Sequence, residues 1–407
     1  MTSSFKTAPA RPRIERIVST CVGVVLVAAL IAACGPSPQS AGTDPAAPQS
    51  QATATPVPAP AGPVKGLSDN PAFQWWRWPG GPQPDSWWGS ADQPGALRAE
   101  TNLMQELGVK IFRVELVWAF VEPTMPGGTE YDHALAQDPN WPGYQWGTWD
   151  TIVDAALGAG LQVLPVVYYT PGWAAGSSVT LNGGPNLPPQ SPEYYGDFIR
   201  AAVARYHDRI HYWELGNEPD FGDRSFKGSL SQYVALMLEP GYLAAKEVDP
   251  HAKILLGGLA VDTHMTAMYA AGAEPYFDIA SFHAYYTAGA GDSTALDHVR
   301  AAMRQNGDAA KPIWLTEFGI PTRDPATATI ASKESATGEP NQAKLITDVY
   351  ANLNVQAIFF YELRDAVVYG GKGPLKWVYW GLLTHDLAHR KLGFDAYKAV
   401  PSPNLPH

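Results

Sequence analysis

The chain reads as an α/β protein built as a single (β/α)8 barrel of the TIM type. Three observations predict this. Seven short β-rich runs alternate with stretches of helical periodicity, and a less obvious strand reads near 73–78. Several of the runs are apolar along most of their length, as expected of strands buried on both faces. The length suits one barrel of eight βα units. A doubly wound open sheet would also alternate, but it usually shows a Gly-rich phosphate loop after its first strand, and none is present.

The predicted strands after the first are 110–116, 162–168, 211–215, 253–257, 278–282, 312–316 and 357–361. The predicted helices are 96–107, 150–159, 192–206, 231–247, 265–273, 294–305 and 342–353. The glycines that follow Leu107 and Ala159 read as helix stops.

Three segments precede or make up this domain. Residues 1–16 are polar with Lys6, Arg11, Arg13 and Arg16, residues 17–33 are apolar, and Ile31-Ala32-Ala33-Cys34 follows. This is the layout of an export signal. Residues 35–64 are Pro, Ala, Ser, Thr and Gln without large apolar side chains, so they read as a disordered tether. The barrel is predicted over 65–401. The layout of 1–34 resembles a bacterial lipobox. That resemblance implies cleavage before Cys34 and its lipidation; an uncleaved anchor is the alternative, since about 18 apolar residues just span a bilayer. Either way the barrel is expected outside the cytoplasm, membrane-anchored at the cell surface.

Composition narrows the function. The chain has 407 residues, 45% hydrophobic, with a net charge of −11; beyond residue 34 it holds 24 basic against 38 acidic residues, or −14. An acidic body argues against a nucleic-acid partner, which needs clustered Lys and Arg. Fourteen Trp and nineteen Tyr supply either a rich core or flat surfaces for sugar rings. The two cysteines, Cys21 and Cys34, both precede the barrel, which therefore has no disulfide and no Cys metal ligand.

In such a barrel, function sits at the C-terminal ends of the strands. After the fourth strand stands Trp213-Glu214-Leu215-Gly216-Asn217-Glu218-Pro219-Asp220, and after the seventh Trp314-Leu315-Thr316-Glu317-Phe318-Gly319. Two carboxylates at equivalent heights would face each other across the mouth. Glycosidic cleavage needs two: one protonates the leaving oxygen, the other attacks the anomeric carbon or activates water. A single strand-end Glu is more simply a salt-bridge or helix-cap partner; the pair in this register is not. No HExxH and no GxSxG is present, and the nearest His pair, His385 and His389, lies past the last strand.

These motifs resemble glycoside hydrolase clan A, most closely the family 39-like β-xylosidases and bacterial exopolysaccharide endoglycosidases, with family 5 cellulases next. The similarity spans nearly the whole barrel and includes FRVELVWAFVEP, TPGWA, DIASFHAYY, the Gln342-Ala343 pair and FFYELRD. The resemblance implies a retaining hydrolase of a poly- or oligosaccharide; separately, a monomer is expected, and no metal or cofactor is expected, since no clustered metal ligands are found in the sequence. It implies Glu218 as acid/base and Glu317 as nucleophile, with carboxyls about 5–5.5 Å apart. Glu218 must start protonated, with a raised pKa, and Glu317 ionised. Arg113 is the cation that would favour Glu317; its alternative is an ion pair with Glu115 or Glu122. Asn217 would bond the sugar 2-hydroxyl, His283 would hold the network, and Tyr285 or Tyr286 would donate to Glu317. Trp118, Tyr169, Trp173 and Tyr361 are stacking platforms or core, with Trp377 and Trp380 as further cleft residues. Many clan members end strand 8 in Trp where this chain has Tyr361-Glu362, so Tyr361 is expected to substitute in the central subsite; Glu362 and Asp365 are expected near the mouth, to bind sugar hydroxyls or to cap the following segment. The rival is a degenerate barrel that binds polysaccharide without cutting it.

Overall fold

The computed structural model describes residues 62–69, 93–177, 186–222, 225–285, 293–322, 338–368, 376–384 and 386–403. The leader, Cys34, most of the tether, Tyr286 and the 73–78 segment lie outside the described residues.

Eight parallel strands form the barrel: β1 Val64–Ser68, β2 Ile111–Val117, β3 Gln162–Tyr168, β4 Tyr212–Asn217, β5 Lys253–Gly258, β6 Ala280–His283, β7 Ile313–Phe318 and β8 Ala357–Tyr361. Their order is β5-β4-β3-β2-β1-β8-β7-β6. The ring closes between β5 and β6 through the parallel bridges Leu255 to Ile279 and Leu259 to Phe282.

A helix follows each strand: α1 Gln93–Glu106, α2 Gly147–Gly158, α3 Pro192–Tyr206, α4 Glu239–Val248, α5 Met265–Ala270, α6 Thr294–Gln305, α7 Glu339–Asn352 and α8 Leu392–Ala399. Local sequence starts several of them. Pro192 opens α3, where its missing N–H costs nothing. Ahead of α4, Ser229 and Gln232 form a reciprocal capping box, at 3.1 and 2.9 Å. A short antiparallel hairpin, β9 Ala366–Val368 and β10 Lys376–Val378, follows β8. Among the described residues no helix is long and apolar enough to cross a membrane.

The first strand is not near 73–78 but at Val64–Ser68, so the sheet takes up the last residue assigned to the tether. The run VKGLS carries a Lys and a Gly, which hides its strand character. Lys65 is nevertheless buried. Its Nζ donates to the Leu107 and Tyr397 carbonyls at 2.9 and 2.8 Å, so its polar end is satisfied inside the fold.

Strand alternation stacks the barrel interior in layers. Val64, Ile111, Leu164, Leu255, Ile279, Trp314, Ala357 and Phe359 form the apolar floor. Two residues further along their strands come Arg113, Ser281 and Thr316, joined by Glu214 from β4. Another step up stand His283, Glu317 and Tyr361. The outward residues of the same strands, such as Phe112, Val163, Leu215 and Phe282, pack with the helices in the larger core.

The segment after β2 is pinned to α3. Asp197 of α3 accepts from Tyr131 Oη at 3.0 Å and Gln137 Nε2 at 2.8 Å, and lies 2.7 Å from His133 Nδ1. Under this segment Glu122 is buried, and Trp118 Nε1 donates to it at 2.5 Å. Burial pushes the Glu122 carboxyl up to about 8, against the pull of the hydrogen bond from Trp118. The folded value lies above the ordinary 4.5, so the contribution of this group to stability is fully present below about 4.5 and is lost as pH rises to about 8. Glu122→Gln keeps an acceptor for Trp118 and removes that decline. Its stability relative to wild type is expected to rise between pH 5 and pH 8, by at most about 1.4 kcal/mol per unit. Urea unfolding at the two pH values checks this; a constant difference refutes it.

Candidate active site

The ends of β4, β6 and β7 bring Glu218, His283 and Glu317 together. One carboxylate oxygen of each Glu and a His283 ring nitrogen lie within 4.8 Å of one another. His283 Nδ1 is 2.8 Å from Glu218 Oε1 and 3.6 Å from Glu317 Oε2.

The backbone is unusual here. Glu218 has φ +46°, a left-handed conformation that costs a non-Gly residue about 1–3 kcal/mol. It is held there by its own N–H, which donates to the Gly258 carbonyl at 3.0 Å. Gly258 has a second part to play. A Cβ there would lie 2.2 Å from His283 Nε2, so only glycine leaves room for the imidazole.

Arg113 runs through the layer beneath. It is 2% exposed. Its Nη1 donates to Glu317 Oε1 at 2.5 Å and to Ser68 Oγ at 3.0 Å, and its Nη2 donates to Asn217 Oδ1 at 2.8 Å. Its Nε donates to Glu214 Oε2 at 2.6 Å. The partners are thus Glu317 and Glu214, not Glu115 or Glu122. With Oδ1 occupied, Asn217 keeps its amide nitrogen as a donor. Tyr285 Oη completes the set by donating to Glu317 Oε2 at 2.6 Å.

The two carboxyls therefore differ. Burial raises the pKa of Glu317, but the charges of His283 and Arg113 and the hydrogen bonds from Tyr285 and Arg113 outweigh it and hold the group below the ordinary carboxylate value. On His283, burial opposes the charged form, yet Glu317 and Glu218 prevail over burial and over Arg113, and its pKa is raised. Burial and the Glu317 charge both drive the Tyr285 hydroxyl well up, so it stays a proton donor. Arg113 fixes a positive charge 2.5 Å from Glu317, which disfavours a metal cation within the Glu218–His283–Glu317 group.

The aromatic residues divide. Tyr361, at the end of β8, meets the edges of Tyr285 and Trp380 at 6.1 and 6.3 Å. Trp380 also meets Tyr285 at 5.2 Å. It reaches this position over Gly319, where a Cβ would lie 3.2 Å from the indole. Trp118 is a core residue and not a platform: it is 0% exposed and stacks on Phe198 at 5.5 Å. Trp173 is half-buried and packs with Tyr131 and Tyr194 at 5.7 and 5.3 Å, its Nε1 donating to the Glu122 carbonyl at 3.0 Å. Tyr169 stacks on Tyr168 at 4.0 Å. The Trp377 side chain lies outside the described residues. Glu362 and Asp365 are buried. Asp365 pairs with Lys391 at 2.5 Å and accepts from the Gly381 N–H at 3.0 Å.

Sequence reasoning missed Glu214. It is the buried carboxylate under Arg113, and its Oε1 also accepts from the Gly258 N–H at 2.9 Å. Its spacing was the available signal. It stands four residues before Glu218 on β4, and alternation points it into the barrel.

Comparisons with known proteins bear on the fold and on part of the chain. Residues 207–358 match the model described as "Glycosyl hydrolase catalytic core". A family 39 glycoside hydrolase from Bacteroides cellulosilyticus WH2 superposes with TM-score 0.54 at 19% identity, covering 84% of this chain and 64% of that one. A GH39 β-xylosidase from Caulobacter crescentus gives TM-score 0.57 at 18% identity, covering 83% and 72%. A β-glucosidase-like protein, SFR2, of Oryza sativa subsp. japonica is 28% identical over 123 residues, 30% of this chain and 17% of its own length. The chain thus spans less than two thirds of the Bacteroides protein and under a fifth of the rice one. Residues 207–358, which run from the foot of β4 into β8 and include both carboxylates, are thus the part of the chain that is similar to a glycosyl hydrolase catalytic core.

Proposed function

We propose that this protein is a retaining glycosidase that cleaves β-linked bonds of an extracellular poly- or oligosaccharide by double displacement. The observation that carries the reading is the unequal pair: Glu317 accepts from a guanidinium and a phenol, while among the described residues Glu218 has the imidazole contact alone, with oxygens of the two within 4.8 Å. A short separation leaves no room for a water between carboxylate and sugar, and so favours direct attack.

In this reading Glu218 gives its proton to the glycosidic oxygen as that bond breaks. Glu317 attacks the anomeric carbon and forms a glycosyl ester. Glu218, now ionised, takes a proton from water; the hydroxide adds to the anomeric carbon and Glu317 leaves as carboxylate. Asn217 donates to the sugar 2-hydroxyl, a contact that strengthens as the ring gains positive charge. Tyr361, Trp380 and Tyr285 offer aromatic surface beside Glu317. The leader pattern of residues 1–34 supports an extracytoplasmic protein with Cys34 as its lipidated residue.

The test is a panel of aryl β-glycosides, β-xylosides first, and of polysaccharides with product sizing. Wild type is expected to hydrolyse at least one, and Glu218→Gln and Glu317→Gln to lose that activity while still binding glycan. Glu218→Ala is expected to lose about 10²–10⁴-fold on poor leaving groups and far less on good ones, because only the former need the proton. Glycan binding with equal silence of wild type and variants would instead establish a non-catalytic polysaccharide-binding barrel.

A further inference from the structure

Arg113 is one cation between two anions. Glu317 is at the mouth; Glu214 lies one layer below and is wholly buried. Glu214 takes donors from three strands. Arg113 Nε bonds its Oε2 at 2.6 Å; the Gly258 N–H and Thr316 Oγ1 bond its Oε1 at 2.9 and 3.3 Å, and the Ser281 hydroxyl, which donates to the Leu256 carbonyl, lies 3.4 Å from the same oxygen. No substrate can reach it. Replacing such a pair by apolar groups is often neutral for stability, so a buried ion pair is weak evidence of a stabilising role. What this pair supplies is placement. Through Arg113 it fixes the donors to Glu317 and Asn217. Through Gly258 it fixes the residue whose carbonyl holds the strained Glu218 N–H and whose bare Cα admits His283.

We infer that Glu214 is a positioning residue for the reaction, which aims the Arg113 guanidinium and takes up part of its charge, so that Glu317 is ionised but not neutralised as a nucleophile. The inference rests on the glycosidase reading for its kinetic consequence, but its electrostatic consequence exists without substrate. Among the described residues the groups that face Glu317 are Arg113 from β2, Glu218 just after β4, His283 from β6 with Tyr285 just after it, and Tyr361 from β8. Glu214 faces Arg113 and the Tyr233 hydroxyl. Removing the Glu214 charge leaves Arg113 to act on Glu317 alone.

The experiment is a carboxyl carbon-13 NMR titration of Glu317 in the full folded protein, with the resonance assigned by its loss in Glu317→Gln. It is paired with the pH profile of kcat/KM on an aryl glycoside that wild type turns over. In Glu214→Gln the Glu317 midpoint and the acid limb are expected to fall by about one pH unit, as for loss of a nearby like charge. The same variant should lose about 10–100-fold in kcat with KM changed far less. Glu214→Asp keeps the charge but draws it back from Arg113, so kcat falls at least about fivefold while the midpoint stays near wild type. A folded Glu214→Gln with wild-type midpoint and kcat, even at lowered Tm, overturns the inference. If Glu214→Gln does not fold, wild-type kcat in Glu214→Asp overturns it. Should the protein hydrolyse nothing, the glycosidase reading fails while the NMR midpoint still decides whether Glu214 governs Glu317.

Discussion

Glu317→Gly is expected to lower turnover by about 10⁴-fold or more, the scale on which enzymes lose activity when their nucleophile is removed. The barrel should stay folded. Glu317 stands at the mouth with 12% of its side chain exposed, so its loss opens space to solvent rather than a sealed cavity. Arg113 keeps Glu214 as a buried counter-ion at 2.6 Å. The large loss in rate and the small loss in stability belong together, and near-UV circular dichroism with single-turnover kinetics reads both. A variant within tenfold of wild type would remove Glu317 from the chemistry.

Arg113→Met should strike stability and activity at once. The guanidinium is the partner of Glu214, which is 0% exposed. Breaking a buried pair by deleting one member strands the other charge in the interior, at a cost of roughly 3–5 kcal/mol. For a domain of this size each kcal/mol moves Tm by about 1–2 °C. Activity falls as well, because Glu317 and Asn217 lose the donor that orients them. The double variant Arg113→Met, Glu214→Gln separates the two effects. It removes the stranded charge, so much of the stability is expected to return while the activity does not. Urea unfolding of wild type, single and double variants measures this; a single variant as stable as wild type contradicts it.

Much of this arrangement was legible in the sequence, for physical reasons. The strands at 162–168 and 357–361 and the helices at 192–206 and 294–305 have the observed bounds, because each carries an unbroken period or an unambiguous stop. The carboxylate pair was legible because strand ends are where a barrel presents function. Other features depend on what surrounds a residue and not on its type. β1 was hidden by Lys65 and Gly66, whose burial depends on carbonyls from Leu107 and Tyr397 far along the chain. Trp118 follows a strand end as a platform would, but Phe198 and Tyr195 of α3 enclose it. Glu362 and Asp365 follow β8 and are buried, and the partners of Asp365, Lys391 and the Gly381 N–H, come from later in the chain. Glu214 escaped notice because its importance lies in Arg113 and Gly258, which are distant in sequence and meet it only in the closed barrel.

The central claim is that Glu317 attacks the anomeric carbon while Glu218 moves the proton. The anomeric configuration of the product formed by Glu317→Gly in azide tests it most directly. With the carboxylate gone, azide enters from the vacated face and, on a β-glycoside, is predicted to leave as the α-glycosyl azide, identified by its proton NMR coupling. Formation of the β-azide by this variant, with the α-azide arising from Glu218→Ala instead, would show the two roles reversed and contradict the account.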